Sequence, residues 1–139
     1  MQIQSPEIQA FATGFPITLL HAGVTVLILF LAAAIYVLLT PHREISLIRD
    51  GNSAAAISLG GVLVGLAIPL AVSLKAATNL IEIALWGAAT VIVQLLIFRI
   101  VDMVLRGLPK RIQDGEVAAA TMLVGAKLAT ALIIAAAVA

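Results

Sequence analysis

The chain has 139 residues, of which 63% are hydrophobic and 11% are charged, and its formal net charge is +1. Soluble domains are about 45–50% apolar and about 25% charged, so this composition excludes a soluble globular protein and indicates a chain surrounded by lipid. The absence of cysteine excludes disulfides, iron–sulfur clusters and thiol nucleophiles. No cofactor, metal site or nucleic-acid partner is expected.

Four stretches are long and apolar enough to cross a bilayer as α-helices, which takes about 20 residues each. They follow a short segment, residues 1–16, which we expect to lie at the outer side of the membrane, with a helix start at Ser5-Pro6-Glu7. The predicted spans cover residues 17–39, 53–74, 80–105 and 117–139. The predicted fold class is therefore an all-α integral membrane protein, with a four-helix transmembrane bundle as a single domain, 1–139.

Basic residues are distributed unevenly between the connections. The connections after spans one and three contain Arg43, Arg49, Arg106, Lys110 and Arg111. The connection between spans two and three contains only Lys75. Because cytoplasmic loops are enriched in Lys and Arg, we expect both basic loops in the cytoplasm and both termini on the periplasmic or outer side.

The sequence repeats itself at an offset of about 64 residues, so that residues 17–75 align with residues 81–139. The matches cluster in a turn motif before the second helix of each unit, formed by Asp50, Gly51 and Asn52 in one copy and by Asp114, Gly115 and Glu116 in the other. We interpret the chain as two parallel two-helix repeats. The Asp-Gly pairs are either turn and capping residues for the next helix, or a paired polar docking site on the cytoplasmic face.

Small residues recur in the second and fourth spans. Gly61 and Gly65 have GxxxG spacing, and Gly125 and Ala129 are their counterparts in the second repeat. Such pairs allow helix backbones to approach closely in lipid. We therefore expect these two spans to lie centrally or at a subunit interface, and the bulkier first and third spans to face lipid.

The run of residues 49–61, RDGNSAAAISLGG, resembles the bacterial inner-membrane domain-of-unknown-function family 350, the YjfL-like proteins. That family carries two copies of a two-span unit with a Gly-Asn-x-Ala-x-Ala motif after the turn. Asn52, Ala54 and Ala56 match the motif, whereas Glu116 replaces the asparagine in the second copy. The resemblance covers most of the chain and implies a multi-pass protein of the bacterial inner membrane, without implying an activity.

Lys127 lies near the middle of the fourth span, where a charged side chain is costly and is a candidate for function. It could extend along its helix to the membrane surface, pair with a polar group of another span, or line a path for an anion or a proton. The candidate polar groups on the third span are Gln94, Thr90 and Glu82. His21 in the first span is a further polar candidate, either an interfacial group or a pH sensor.

Other polar and aromatic residues fit the membrane interface. Arg99, Asp102 and Arg106 are spaced for an ion-pair ladder at the inner end of the third span. Tyr36 and Trp86 lie near opposite ends of their spans, as interfacial aromatic residues do.

No pattern of an enzyme site occurs in the sequence. We therefore expect a non-enzymatic multi-pass inner-membrane protein whose partners are the lipid bilayer, further copies of itself in a homo-oligomer, and possible cytoplasmic proteins that it anchors. The alternative hypothesis is a subunit of an oligomeric channel or transporter for a small ion, with Lys127 in the polar path.

Overall fold

The computed structural model describes residues 5–40 and 44–139. Within these ranges the regular elements are α1 (Pro6–Leu39), α2 (Glu44–Arg49), α3 (Ser53–Ala76), α4 (Leu80–Val104), α5 (Leu108–Gln113) and α6 (Val117–Val138). The helices α1, α3, α4 and α6 are long and apolar enough to cross a membrane. The predicted all-α membrane fold with four spans is therefore confirmed.

Helix α1 is longer than the predicted first span. Its 34 residues correspond to about 51 Å, against a hydrocarbon core of about 30 Å. From Pro6 onward, the segment expected to precede the span is part of the same helix, which continues through Pro16. A break there would free backbone groups that lipid cannot satisfy, which favours continuation of the helix. The placement of this segment at the outer side of the membrane stays a prediction, and residues 1–4 lie outside the described residues.

The short helices α2 and α5 lie at one end of the bundle, which we call the short-helix end. The carboxyl ends of α1 and α4 and the amino ends of α3 and α6 meet there. Each short helix is followed by a tight turn, in which Gly51 has a φ of 87° and Gly115 a φ of 85°. This left-handed backbone favours glycine. The two turns are about 64 residues apart, as are the first residues of α2 and α5; the division into repeats 17–75 and 81–139 stays a prediction.

Asn52 joins the two turns across the short-helix end. Its side-chain oxygen accepts a hydrogen bond from the main-chain N–H of Ala55 at 3.0 Å and caps α3. Its side-chain N–H₂ donates to the main-chain carbonyls of Ile112 and Gln113, at 3.0 and 3.1 Å. One asparagine therefore starts α3 and fixes the end of α5 beside it.

The prediction that Asp50 and Asp114 cap the following helices is wrong. The residues at the cap positions are Asn52 for α3 and Glu116 for α6, because the left-handed glycine places the helix start two residues after each aspartate. The Glu116 side chain makes no cap hydrogen bond and pairs instead with Arg111. Both aspartates are exposed, and their proposed role in docking a partner stays a prediction.

Helix α3 lies at the centre of the bundle, in contact with α1, α4 and α6, and its most extensive packing is against α6. Gly61 and Gly65 lie in these contacts. A Cβ atom added to Gly61 would overlap Val124 of α6, and one added to Gly65 would lie 2.7 Å from Cζ of Phe98 in α4. The absence of side chains at these two positions allows the helices to approach this closely.

Gly125 and Ala129 do not repeat these contacts among the residues that the structure describes. Both lie on the exposed face of α6, and a Cβ atom added to Gly125 would have no neighbour within 4 Å. The reason is that α6 turns another face, containing Leu123, Lys127 and Ala131, toward the other helices. A packing role for Gly125 and Ala129 therefore requires a second subunit, and stays a prediction.

Candidate functional site

Lys127 is the centre of a buried charge cluster at the short-helix end. The residue is 1% exposed, and its Nζ donates a hydrogen bond to the Tyr36 hydroxyl at 2.8 Å. The same Nζ lies 2.9 Å from Oδ1 of Asp102. It also lies 4.9 and 5.4 Å from the ring centroids of Tyr36 and Phe98, within cation–π range. A buried ammonium is tolerated when it is paired in this way.

The partners proposed for Lys127 from the sequence, Gln94, Thr90 and Glu82, are wrong. The structure pairs it with Asp102 of α4 and Tyr36 of α1. Helical side chains point toward the amino terminus of their own helix, and α6 begins at the short-helix end. Lys127 therefore extends toward that end, where α1 and α4 finish, and away from the start of α4.

Asp102 and Tyr36, which the sequence analysis assigned to the membrane interface, instead lie in this cluster. Among the described residues Asp102 forms its salt bridge with Lys127, and not with Arg99 or Arg106 as the ladder prediction required. Tyr36 is buried in the bundle, with its ring edge-on to Phe98. Both side chains turn inward toward the ammonium of Lys127. Electrostatic interactions and hydrogen bonds are stronger in the interior, where the dielectric constant is low, than at the surface in water.

Glu44, the first residue of α2, is a member of the cluster that the sequence analysis missed. It is 2% exposed, and its Oε2 has no hydrogen-bond partner among the described residues. Burial raises the pKa of Glu44 to about 7; Lys127 lowers it and Asp102 raises it. The signal in the sequence was weak: Glu44 is one of two acidic residues, with Asp50, in a short connection that also contains Arg43 and Arg49. The nearby His42 lies outside the described residues.

Two adjoining cavities open beside the cluster. The inner cavity, of about 230 Å³, reaches Glu44 and Ser58. The outer cavity, of about 400 Å³, lies between α1 and α4 and is lined by apolar side chains that include Leu39 and Leu96. The two cavities share the lining residues Tyr36, Thr40, Arg99 and Asp102.

Further buried polar groups continue from the cluster toward the other end of the bundle. Gln94 is 0% exposed, and neither polar atom of its side chain has a partner among the described residues. Beyond it, Oγ of Ser73 and Oγ1 of Thr90 lie 3.4 Å apart, both buried. We call the set Ser73, Thr90, Gln94, Lys127 and Asp102 the polar seam. Thr90, Gln94 and Asp102 recur at helical spacing on one face of α4, over about 18 Å.

Glu82 and His21 lie outside the seam. Glu82 is half-buried at the start of α4, and its Oε2 accepts hydrogen bonds from the main-chain N–H and the hydroxyl of Thr78, at 2.7 and 2.9 Å. His21 is half-buried in α1, where its main-chain carbonyl accepts a hydrogen bond from Thr25. In the described parts of the chain no three His, Asp or Glu side chains converge to hold a metal ion.

The fold and this site define a multi-pass α-helical membrane protein with a charged pair buried between its helices. Comparison with known proteins then gives the family. The model of the family described as Domain of Unknown Function (DUF350) matches residues 10–138, and the chain belongs to that family. The resemblance carried by residues 49–61 is therefore confirmed.

Two relatives are similar over most of the chain. The UPF0719 inner membrane protein YjfL of Escherichia coli strain K12 is 35% identical over 107 residues, which cover 77% of this chain and 80% of the relative. The protein of the same name in Escherichia coli O157:H7 gives the same values. No solved structure matches the chain.

Proposed function

We propose that this chain is a subunit of an oligomeric inner-membrane channel or transporter for a small ion, with Lys127 in the polar path. The observation that carries the proposal is the polar seam, which runs along one face of α4 from the Ser73–Thr90 contact to the Lys127–Asp102 pair. The relative YjfL, named as an inner membrane protein, supports the location.

The energetics of burial favour a functional reason for the seam. A buried ion pair is often no more stabilising than well-packed apolar residues of similar volume, so stability alone does not account for Lys127 and Asp102. Gln94 adds a buried amide without a protein partner among the described residues, and such groups are usually satisfied by water. Hydrated polar groups within a membrane bundle commonly mark ion or proton pathways.

The orientation of the path follows from the charges at the surface. Several basic residues at the short-helix end are exposed, among them Arg49, Arg106, Lys110 and Arg111. By the positive-inside rule, these charges support an orientation with this end in the cytoplasm and both termini on the other side. In this orientation the Lys127–Asp102 pair is the cytoplasmic end of the seam, and the Ser73–Thr90 contact faces the periplasm.

A transport assay tests the proposal. The purified protein is reconstituted in liposomes that contain a pH-sensitive dye, and proton flux is driven by a membrane potential. We expect flux above that of protein-free liposomes, and its loss in Lys127→Met. Lys75→Met removes an exposed lysine and is the matched control. Repeating the assay with a chloride-sensitive dye tests an anion path. Wild-type flux of neither ion above the protein-free background, or equal flux in Lys127→Met, would reject the proposal.

A second candidate function is assembly without transport, in which the protein forms a homo-oligomer or anchors a cytoplasmic partner and has no enzymatic activity. The observation that favours it is the exposed small-residue face of α6 at Gly125 and Ala129, which fits close contact with another helix. Mass determination in nanodiscs tests it. We expect an oligomer that Gly125→Leu dissociates, whereas a monomeric wild-type protein with no cross-linked partner in cells would exclude this function.

A further inference from the structure

We propose that the two adjoining cavities at the short-helix end bind one zwitterionic phospholipid whose head group carries a primary ammonium, as phosphatidylethanolamine does. The proposal goes beyond the transport of an ion, and its observations are independent of the seam's role. It concerns the apolar outer cavity between α1 and α4, Glu44 in the inner cavity, and Arg99, which lines both cavities.

The outer cavity suits an acyl chain. Its apolar lining consists of Leu39 of α1 and Ile92, Leu95 and Leu96 of α4. The side chains at its edges face the surroundings of the bundle, since Leu39 is 62% and Leu96 61% exposed. A lipid chain can therefore enter sideways between the two helices.

Arg99 suits the phosphate of the same lipid. It lines both cavities, and it lies about 8 Å from the end of α4, at the depth where head groups meet the hydrocarbon core. The guanidinium of an exposed arginine donates several hydrogen bonds in a fixed geometry that matches phosphate oxygens. Thr40, whose hydroxyl donates a hydrogen bond to the main-chain carbonyl of Tyr36 at 2.7 Å, also lines both cavities.

Glu44 selects the ammonium. It lines the inner cavity, it is almost completely buried, and its Oε2 lacks a hydrogen-bond partner among the described residues. Asp102, the other carboxylate of this cavity, is already paired with Lys127. A primary ammonium, with three N–H donors, would satisfy the free oxygen of Glu44 while the phosphate stays on Arg99.

The balance of charges favours a zwitterionic lipid over an anionic one. The site offers one cation and one carboxylate that are not paired with each other in the structure, Arg99 and Glu44. The head group of phosphatidylglycerol has hydroxyl donors but no cation, so it would add no positive charge beside the buried carboxylate of Glu44. Phosphatidylcholine has the same net charge as phosphatidylethanolamine, but its quaternary ammonium has no N–H to donate.

Native mass spectrometry of the delipidated full-length protein tests the proposal, with each of these three lipids added in turn. We expect phosphatidylethanolamine to bind roughly tenfold more tightly than phosphatidylcholine, as the loss of charge-assisted hydrogen bonds requires, and phosphatidylglycerol to bind no better than phosphatidylcholine. Equal binding of all three lipids, as for lipids that merely surround the bundle, would overturn the proposal. A preference for phosphatidylglycerol would also overturn it.

Two pairs of variants locate the site. Glu44→Gln should abolish the preference over phosphatidylcholine, whereas Asp50→Asn, which changes an exposed acid of the same end, should retain it. Arg99→Gln should weaken binding of both zwitterionic lipids, whereas Arg106→Gln should not. Unchanged selectivity in Glu44→Gln would overturn the assignment. The comparison of lipids on the wild-type protein remains decisive even when a variant fails to fold.

Discussion

Lys127 in α6 donates a hydrogen bond to the hydroxyl of Tyr36 in α1 at 2.8 Å, although the two residues are 91 positions apart. The same ammonium pairs with Asp102 of α4 at 2.9 Å. Three of the four spanning helices are therefore joined at one buried point. This arrangement makes definite predictions about stability and about function.

Removal of Lys127 leaves the partly buried carboxylate of Asp102 without its cation. We expect Lys127→Met to lower the free energy of unfolding by about 3 kcal/mol, measured by denaturant titration in mixed micelles. The double variant Lys127→Met/Asp102→Asn should lose less than the sum of the two single variants, because it leaves no unpaired charge. Lys75→Met should stay within about 0.5 kcal/mol of the wild type. Strictly additive losses would contradict the pairing.

Gly61 and Gly125 are 64 positions apart, as the predicted repeat requires of equivalent residues, but they have different surroundings. Gly61→Ala should destabilise the protein by about 1–3 kcal/mol, because the added methyl group overlaps Val124. Gly125→Ala adds the same group where nothing lies within 4 Å, and should be neutral or slightly stabilising, since alanine is the better helix former. Thermal unfolding of the two variants in one detergent compares them directly. Equal changes in stability in the two variants would contradict the close contact of Gly61 with Val124 between α3 and α6.

Asn52 supplies both a helix cap and a bridge between the turns. Asn52→Asp retains the oxygen that caps α3, but it loses the two donors to the carbonyls of Ile112 and Gln113. We expect a loss of about 1–2 kcal/mol, as for buried hydrogen bonds left unmade, together with faster hydrogen exchange of the amides in α5. The control Asp50→Asn alters an exposed side chain in the same turn. Unchanged exchange in Asn52→Asp would argue against the bridge.

Glu44 makes the stability of the protein depend on pH. Its pKa is about 7 in the folded protein, against an ordinary value of 4.5, so the folded state binds the proton more tightly than the unfolded chain does. Its contribution is fully present below about pH 4.5 and is lost as the pH rises through about 7. Since one pKa unit corresponds to about 1.4 kcal/mol, the loss amounts to at most about 3.5 kcal/mol.

The check on Glu44 is the free energy of unfolding at pH 5 and pH 8, measured for the wild type and for Glu44→Gln. The variant has no carboxyl group to titrate at this position, and it should lose less stability between the two pH values than the wild type does. Identical pH dependence in both proteins would mean that Glu44 keeps its ordinary pKa.

The positions of the helices could be predicted from the sequence, but the side of each helix that is buried could not. Lipid imposes helices on apolar stretches, so the four spans and the glycine turns at Gly51 and Gly115 followed from composition and turn chemistry. The spans are apolar on all sides, and their periodicity therefore does not indicate which face is inside. For this reason Gly61 and Gly125 could not be distinguished.

The site could be predicted only in part, because the sequence does not indicate which face of each helix is buried. The position of Lys127 in the span marked it as a candidate, and the direction of helical side chains could have indicated the end toward which it extends. Its pairing with Asp102 required knowledge of how α4 and α6 are rotated relative to each other. Glu44 was missed because its burial depends on how α2 folds back onto the bundle.

The most direct test of the transport proposal is proton flux through liposomes that contain the double variant Lys127→Met/Asp102→Asn. This variant removes both charges of the seam without leaving either unpaired, so it separates the loss of the path from the loss of the fold. We predict a protein with wild-type helicity and oligomeric state whose flux falls to that of protein-free liposomes. Wild-type flux through the folded double variant would contradict the proposal that the Lys127–Asp102 pair lies in the path of the ion.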